Sequence, residues 1–372
     1  WIIYNGYCVR PYFYAGSNAT VRLLQNDVKT SSEIALSEIP RDNPELFEDD
    51  LTLLTHSSAS ALDEDYLSSL IANWRGPISL AVSLQCNFNE DFVRDKIEKA
   101  LGSLRDPKAA SRFSVHVLYD RTENAFCDSS SSNSIETREE SVFVASYPIN
   151  TVRNVARLFS STRYIAFADA DYLFSAGFYE KMLRILRESV PVGSRNALLY
   201  RIFEIDGEEA RMKGYDLSKY DLRLLISADK ARVFHVKGWA AGHSMPKLPQ
   251  WLAVDESSEP GLFDLTISLK RRSVWEFQFV GLRDVPLFDE NFPYRTDNNL
   301  ELRWEVCRAG FHLDSVSDLF VYHTLSEGVG NKDDAARKHA IKRKNMKKFA
   351  QAKKQMKERM DRLYPDTKSI CP

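Results

Sequence analysis

Two aspartates stand one residue apart in the stretch FADADYLF, residues 167–174. An apolar run, Tyr164 to Ala168, delivers Asp169 and Asp171, and Tyr172-Leu173-Phe174 turns apolar again. A DxD at a strand end offers carboxylate oxygens to Mg²⁺ or Mn²⁺. These hard cations prefer oxygen ligands and share their coordination with nucleotide phosphates. The metal then neutralises a leaving diphosphate. Two other chemistries fit the same letters. The acids can cap the following helix, or one can be a phosphatase-type nucleophile, which nothing else in the chain supports. A phosphate-cradling GxxxxGK loop is absent.

The elements that must position these acids follow a regular rhythm. Strands are expected at 51–55, 78–84, 113–119, 164–168 and 197–203. Helices are expected at 59–74, 92–101, 151–159 and 177–186, the first carrying Leu62, Tyr66, Leu70 and Trp74 at helical spacing. Asp128 to Asn133 (DSSSSN) reads as a polar surface loop. Such βαβα alternation predicts an α/β fold, a parallel or mixed sheet with helices on both faces. Ligands bind such sheets at the carboxyl ends of strands, where Asp169 and Asp171 fall. Past residue 205 the rhythm breaks into longer irregular pieces, as expected of an acceptor-binding half. Residues 1–48 read as an N-terminal arm or stem remnant, 49–330 as the main domain, and 331–372 as a C-terminal helix and tail. Lys332 to Leu363 forms one basic helix with Met346, Phe349, Met356, Met360 and Leu363 roughly on one face. It is either a cationic patch for an anionic polymer or lipid, or a solvated helix packing its methionines on the domain.

Bulk properties bound the function. The chain has 372 residues, 44% hydrophobic and 27% charged, enough for a sizeable core. A formal net charge of −2 argues against a nucleic-acid partner. No apolar run reaches the roughly 20 residues of a membrane span, and no signal peptide is visible. The first residue is Trp1, as expected of a fragment or processed form with any anchor upstream. Five cysteines are scattered without CxxC spacing, and the odd count leaves at least one unpaired within the chain. Asn18-Ala19-Thr20 is a glycosylation acceptor pattern that points to a secretory lumen.

Several segments, in order, resemble the LARGE-type and β-1,4-glucuronyltransferase family of glycosyltransferases. They are Trp74 to Ser79 (WRGPIS), Tyr147 to Asn150 with Val152 to Ala156 (YPIN, VRNVA), the DxD, and Phe203-Glu204-Ile205. Trp275-Glu276, Val285 to Phe292 (VPLFDENF) and Phe320 to His323 (FVYH) follow, and the basic helix closes on Tyr364-Pro365 and Cys371. The resemblance spans about residues 50–372. It implies a GT-A fold, a Golgi enzyme with an N-terminal membrane anchor, Mn²⁺ (or Mg²⁺) as cofactor and a UDP-sugar donor. It further implies inversion at the anomeric carbon and a glycan or glycoprotein acceptor. In this reading Asp169, Asp171 and His323 hold the metal. Arg153 and Asn154 bond the uridine, ribose or donor sugar, or Arg153 serves only a helix salt bridge. Thr55, with the strand ending His56-Ser57-Ser58, lines the nucleotide pocket. Glu276 is the first candidate for the base that takes the acceptor proton, and Asp297, in the turn Asp297-Asn298-Asn299, the second. Departures from the family pattern fall at Met245-Pro246-Lys247, Phe277 and Thr296-Asp297-Asn298, in the sugar-reading half. The acidic stretch Asp206-Gly207-Glu208-Glu209 stands where a glucuronate carboxylate would be repelled. A UDP-sugar transferase is therefore expected, with glucuronic acid as one donor sugar. The alternative is a catalytically silent carbohydrate-binding protein on the same fold.

Overall fold

A computed structural model describes residues 2–4, 7–13, 48–84, 88–104, 106, 108–120, 147–191, 193–257, 259–265, 267, 274–325 and 332–371. The glycosylation pattern at residue 18, the DSSSSN loop, Cys86 and Cys127 lie outside them. In chain order the first half comprises β1 (Ile2–Tyr4), β2 (Tyr7–Phe13), β3 (Glu48–Ser58), α1 (Glu64–Asn73), β4 (Ile78–Ser83), α2 (Glu90–Gly102), β5 (Phe113–Asp120), α3 (Ile149–Leu158), β6 (Thr162–Phe167), β7 (Tyr172–Phe174), α4 (Phe178–Glu188) and β8 (Asn196–Asp206). The second half comprises α5 (Gly207–Met212), α6 (Lys219–Ser227), β9 (Ala231–Val233), α7 (Val236–His243), α8 (Leu248–Ala253), β10 (Leu262–Asp264), β11 (Gln278–Leu282), α9 (Leu300–Arg308), β12 (His312–Leu325) and α10 (Lys332–Leu363).

The fold is α/β around one mixed sheet in the order β1-β2-β5-β4-β3-β6-β11-β8-β12-β10, with β7 on β12 and β9 on β8. Strands β5, β4, β3 and β6 are mutually parallel, and β11 runs antiparallel between β6 and β8. Residues 2–4 and 7–13, within the expected arm, form the edge of this sheet. Side-chain alternation sorts the two faces. Leu51, Leu53, Ile78, Leu80, Val82, Leu198 and Tyr200 pack with α1, α2 and α4. Leu54, Ala81, Ile165, Phe167, Ala197 and Leu199 pack with α3 and α9. Covering both faces explains why ISLAVS in β4 is buried throughout.

Local signals set the boundaries. Asp63 accepts from the backbone N–H groups of Asp65 and Tyr66 at the start of α1, and Asn89 accepts from Phe92 at the start of α2. After α1, Trp74 Nε1 donates to the Pro77 carbonyl (3.0 Å). A Cβ on Gly76 would stand 2.2 Å from the Tyr179 ring, so only glycine fits beneath α4 there. Thus WRGP is a packing motif. The run from Asp206 to Glu209 is likewise structural: Asp206 caps α5 by accepting from Glu208 and Glu209.

Helix α10 packs on α9 through Ala352, Met356 and Met360, which meet Phe292, Leu300 and Trp304. Met346 and Leu363, expected on the same stripe, are exposed. Arg359 bridges Asp289 (2.7 Å) and Glu305 (2.5 Å), both buried. A disulfide, Cys307–Cys371, ties the tail to α9. Replacing Arg359 with Leu removes the cation shared by two buried carboxylates, and such a loss costs about 3–5 kcal/mol. Urea denaturation should show a large fall in midpoint. An unchanged midpoint would mean that this bridge does not hold the helix.

Candidate active site

Strand register builds the site. In the parallel β3–β6 pair Leu54 lies opposite Phe167. Two residues further along each chain, His56 Nε2 comes 3.3 Å from Asp169 Oδ1. In the antiparallel β7–β12 pair Tyr172 faces His323. The preceding Asp171 therefore reaches the imidazole, Oδ2 to Nε2, at 2.9 Å. Parallel pairing of β12 with β8 sets Glu204 beside His323. Four separate stretches of sequence, ending β3, linking β6 to β7, and within β8 and β12, thus meet through backbone pairing.

Arg153 enters from α3. Its Nη2 donates to Asp169 Oδ1 (3.4 Å), its Nε donates to His56 Nε2 (3.2 Å), and its guanidinium lies over the Phe288 ring. Desolvation pushes the Asp169 carboxyl up, but His56 and Arg153 outweigh it and hold the group well below the usual carboxylate range. Burial lowers His323, yet the hydrogen bond and charge of Asp171, with Glu204 and Asp169 behind, outweigh it, so the net shift is upward. His56 is lowered, chiefly by burial. Among the described residues no three His, Cys, Asp or Glu side chains gather as a metal-binding group. Asp171 and His323 are joined, while Asp169 faces Arg153 and His56.

These residues line a cleft of about 1420 Å³. Glu276 and Asp297 line it too. The Glu276 backbone N–H donates to the Gly242 carbonyl (2.7 Å). Its carboxyl is pushed up by burial, against the opposing pull of Arg303 and a hydrogen bond from Asn299. Asp297 Oδ2 lies 3.5 Å from Lys353 Nζ, and its carbonyl accepts from Glu301 at the start of α9.

Two expected binding residues stand elsewhere. Thr55 is buried within β3, and its Oγ1 has no hydrogen-bond partner among the described residues; its neighbours His56, Ser57 and Ser58 line the cleft instead. Asn154 is fully buried. Its Nδ2 donates to the Phe288 carbonyl (2.9 Å) and Glu290 Oε1 (2.7 Å), and its Oδ1 accepts from the Phe288 N–H. Its hydrogen-bonding capacity is spent on the VPLFDENF loop, so it is a structural residue. The acids from Asp206 to Glu209 are not among the lining residues, so the expected repulsion of a donor carboxylate has no source there.

The sequence reading missed the wall formed by Phe234, His235, Trp239 and His243, and the contribution of His339 and Lys342 from α10. The wall falls in FHVKGWAAGH, residues 234–243, which has neither helical nor strand periodicity. Burial lowers His243 to about 4, assisted by the charge of His235.

The family model described as glycosyl-transferase for dystroglycan matches residues 50–365. The β-1,4-glucuronyltransferase 1 of Danio rerio is 26% identical over 357 residues, covering 89% of this chain and 79% of that protein. The human xylosyl- and glucuronyltransferase LARGE1 is 26% identical over 250 residues, 65% of this chain and 27% of its own. Among solved structures, S. aureus TarS 1-349 in complex with UDP aligns with a TM-score of 0.40 at 12% identity, covering 74% of this chain and 61% of that one.

Asn154→Ala should destabilise the fold by about 1–3 kcal/mol, since it strands the buried Phe288 amide and carbonyl. Denaturation measured beside UDP affinity checks this; loss of UDP affinity at unchanged stability would return Asn154 to the nucleotide site.

Proposed function

The chain belongs to the family of glycosyl-transferases for dystroglycan, and from that premise we propose that it is a metal-dependent, inverting UDP-sugar glycosyltransferase acting on a glycan acceptor. The observation that carries the reading is that Asp169, Asp171 and His323 line one cleft together with a half-buried glutamate, Glu276. Two carboxylates and an imidazole suit a hard divalent cation in chemistry, and the Asp171–His323 pair already brings an oxygen and a nitrogen together. Asp169, Asp171 and His323 would hold Mn²⁺ or Mg²⁺, which when bound supplies positive charge to the leaving diphosphate.

Glu276 takes the proton of the acceptor hydroxyl. The acceptor oxygen bonds to the anomeric carbon as the bond to the diphosphate oxygen breaks on the opposite face, and UDP leaves. A base works best with a pKa near the working pH, and burial moves Glu276 in that direction. Asp297 suits the role less, being engaged by Lys353. Arg153 steadies Asp169 and presents its guanidinium toward the nucleotide. Glucuronic acid is a candidate donor sugar, by analogy with the named relatives. The Cys307–Cys371 disulfide supports an oxidising, secretory-pathway location. No described helix is long and apolar enough to cross a membrane.

The test is UDP release across a panel of UDP-sugars, with Mn²⁺ and with chelator. Chelator-sensitive release with one sugar is expected. Asp171→Ala should abolish it with the circular dichroism unchanged, and retained transfer would sink the metal assignment. Glu276→Gln should lower kcat by about 10²–10⁴. Because the Glu276 carboxyl is raised, its ionised form is lost on acidification at a higher pH than for an ordinary glutamate (about 4.3). The acid limb of kcat/KM should therefore lie above that value; a limb at the ordinary position would move the base elsewhere. The silent-binder reading is favoured if UDP with Mn²⁺ gives no thermal shift while glycans still bind.

A further inference from the structure

Trp239 is the least explained side chain of the cleft. It is 40% exposed, yet it lines the cleft rather than the outer surface. Its backbone leaves helical geometry in the middle of α7 (φ −151°, ψ 62°). That kink follows His235, which sits in the left-handed region at φ 50° without being glycine. A non-glycine residue in that left-handed region persists where surrounding structure holds it. The indole meets Gly242 so closely that a Cβ there would stand 2.8 Å from its ring carbons. Its ring also meets His243 edge to face, centroids 5.6 Å apart. Gly242 and His243 thus form the support beneath a partly open indole.

The same Gly242 carbonyl accepts the Glu276 N–H. The support of the indole and the anchor of the candidate base are therefore one peptide segment. From Trp239 the ring contacts run through His243 and Phe234 to His323, which bonds Asp171. Three ring contacts separate the indole from the diphosphate end of the cleft. A pyranose ring offers one face of C–H groups and a rim of hydroxyls. An indole covers such a face by dispersion and burial while leaving the rim free for polar partners.

We propose that Trp239 is the platform on which a neutral pyranose ring of the acceptor glycan stacks, positioned so that its hydroxyl meets Glu276. The inference rests on the transferase reading for the role of Glu276, and the platform itself does not need it. Gly242 is a positioning residue for this platform.

The test is saturation-transfer NMR on the full chain with methyl glycosides of glucose, galactose, N-acetylglucosamine, mannose and xylose. A thermal shift with UDP and Mn²⁺ runs in parallel. Wild-type protein should pass saturation to the ring C–H protons of at least one glycoside. Trp239→Ala should cut that signal to about a tenth, Trp239→Phe should restore part of it, and Gly242→Ala should weaken it by tilting the indole. The UDP shift of Trp239→Ala should equal that of wild type. No signal from any glycoside with wild type, or an equal signal with Trp239→Ala, overturns the platform. So does loss of the UDP shift in Trp239→Ala where wild type shows one, since the tryptophan then supports the whole cleft. A wild-type protein that binds a glycoside through Trp239 and shows no UDP shift refutes the transferase reading alone.

Discussion

The site depends on a buried helix that is held by its polar side chains. Every residue of α3 is buried, including Asn150, Arg153, Asn154 and Arg157. Asn150 donates to the Asp289 carbonyl, Asn154 grips Phe288 and Glu290, and Arg157 donates to the carbonyls of Arg283, Val285 and Pro286. Arg283 answers from the loop, donating to Ser160 and to the Leu158 carbonyl at the end of the helix. Desolvation of these guanidiniums is unfavourable; it lowers Arg157 to about 10 and Arg283 to about 9. The carbonyls around them offset that cost, and removing one partner would leave a charge stranded in the interior. Arg153 sits on the same helix and inherits its fixed position beside Asp169.

YPIN with VRNVA and VPLFDENF stood out in the sequence as separate motifs. In space they are two sides of one contact, helix against loop. That explains why Asn154 is misread from sequence. An asparagine next to a site arginine carries no mark of whether it turns to ligand or to loop. The helical period decides, putting Asn150, Asn154 and Arg157 along the loop. Thr55 fails for a related reason. The strand end at residues 55–58 was correctly located, but which residue opens to the cleft depends on pairing with β4 and β6.

The α/β half was legible because its signals are local. Apolar runs bounded by polar turns gave the strands 51–55, 78–84, 113–119, 164–168 and 197–203 within a few residues of their observed limits. The DxD was legible as a strand end for the same reason. The second half was not, because its elements are short or interrupted. β9 and β10 have three residues each, α7 kinks at Trp239, and β12 carries Asp314, Ser315, Ser317 and Asp318 in its first half. Tertiary packing stabilises these pieces, so their own letters predict little. His323 was placed by resemblance, and its pairing with Asp171 follows from a β7–β12 register that no local pattern encodes.

Helix α10 joins the cleft from outside the sheet. His339 and Lys342 line the same cleft as Asp169 and His323. Behind these come Arg359, which joins α10 to α9, and Cys371, which closes a covalent loop of 64 residues. The wall that carries His339 and Lys342 is thus held by ion pairing and a covalent bond, whereas the acids it faces are held by strand pairing, so the two sides of the cleft answer to different chemistry: salt and reductant on one, backbone hydrogen bonding on the other.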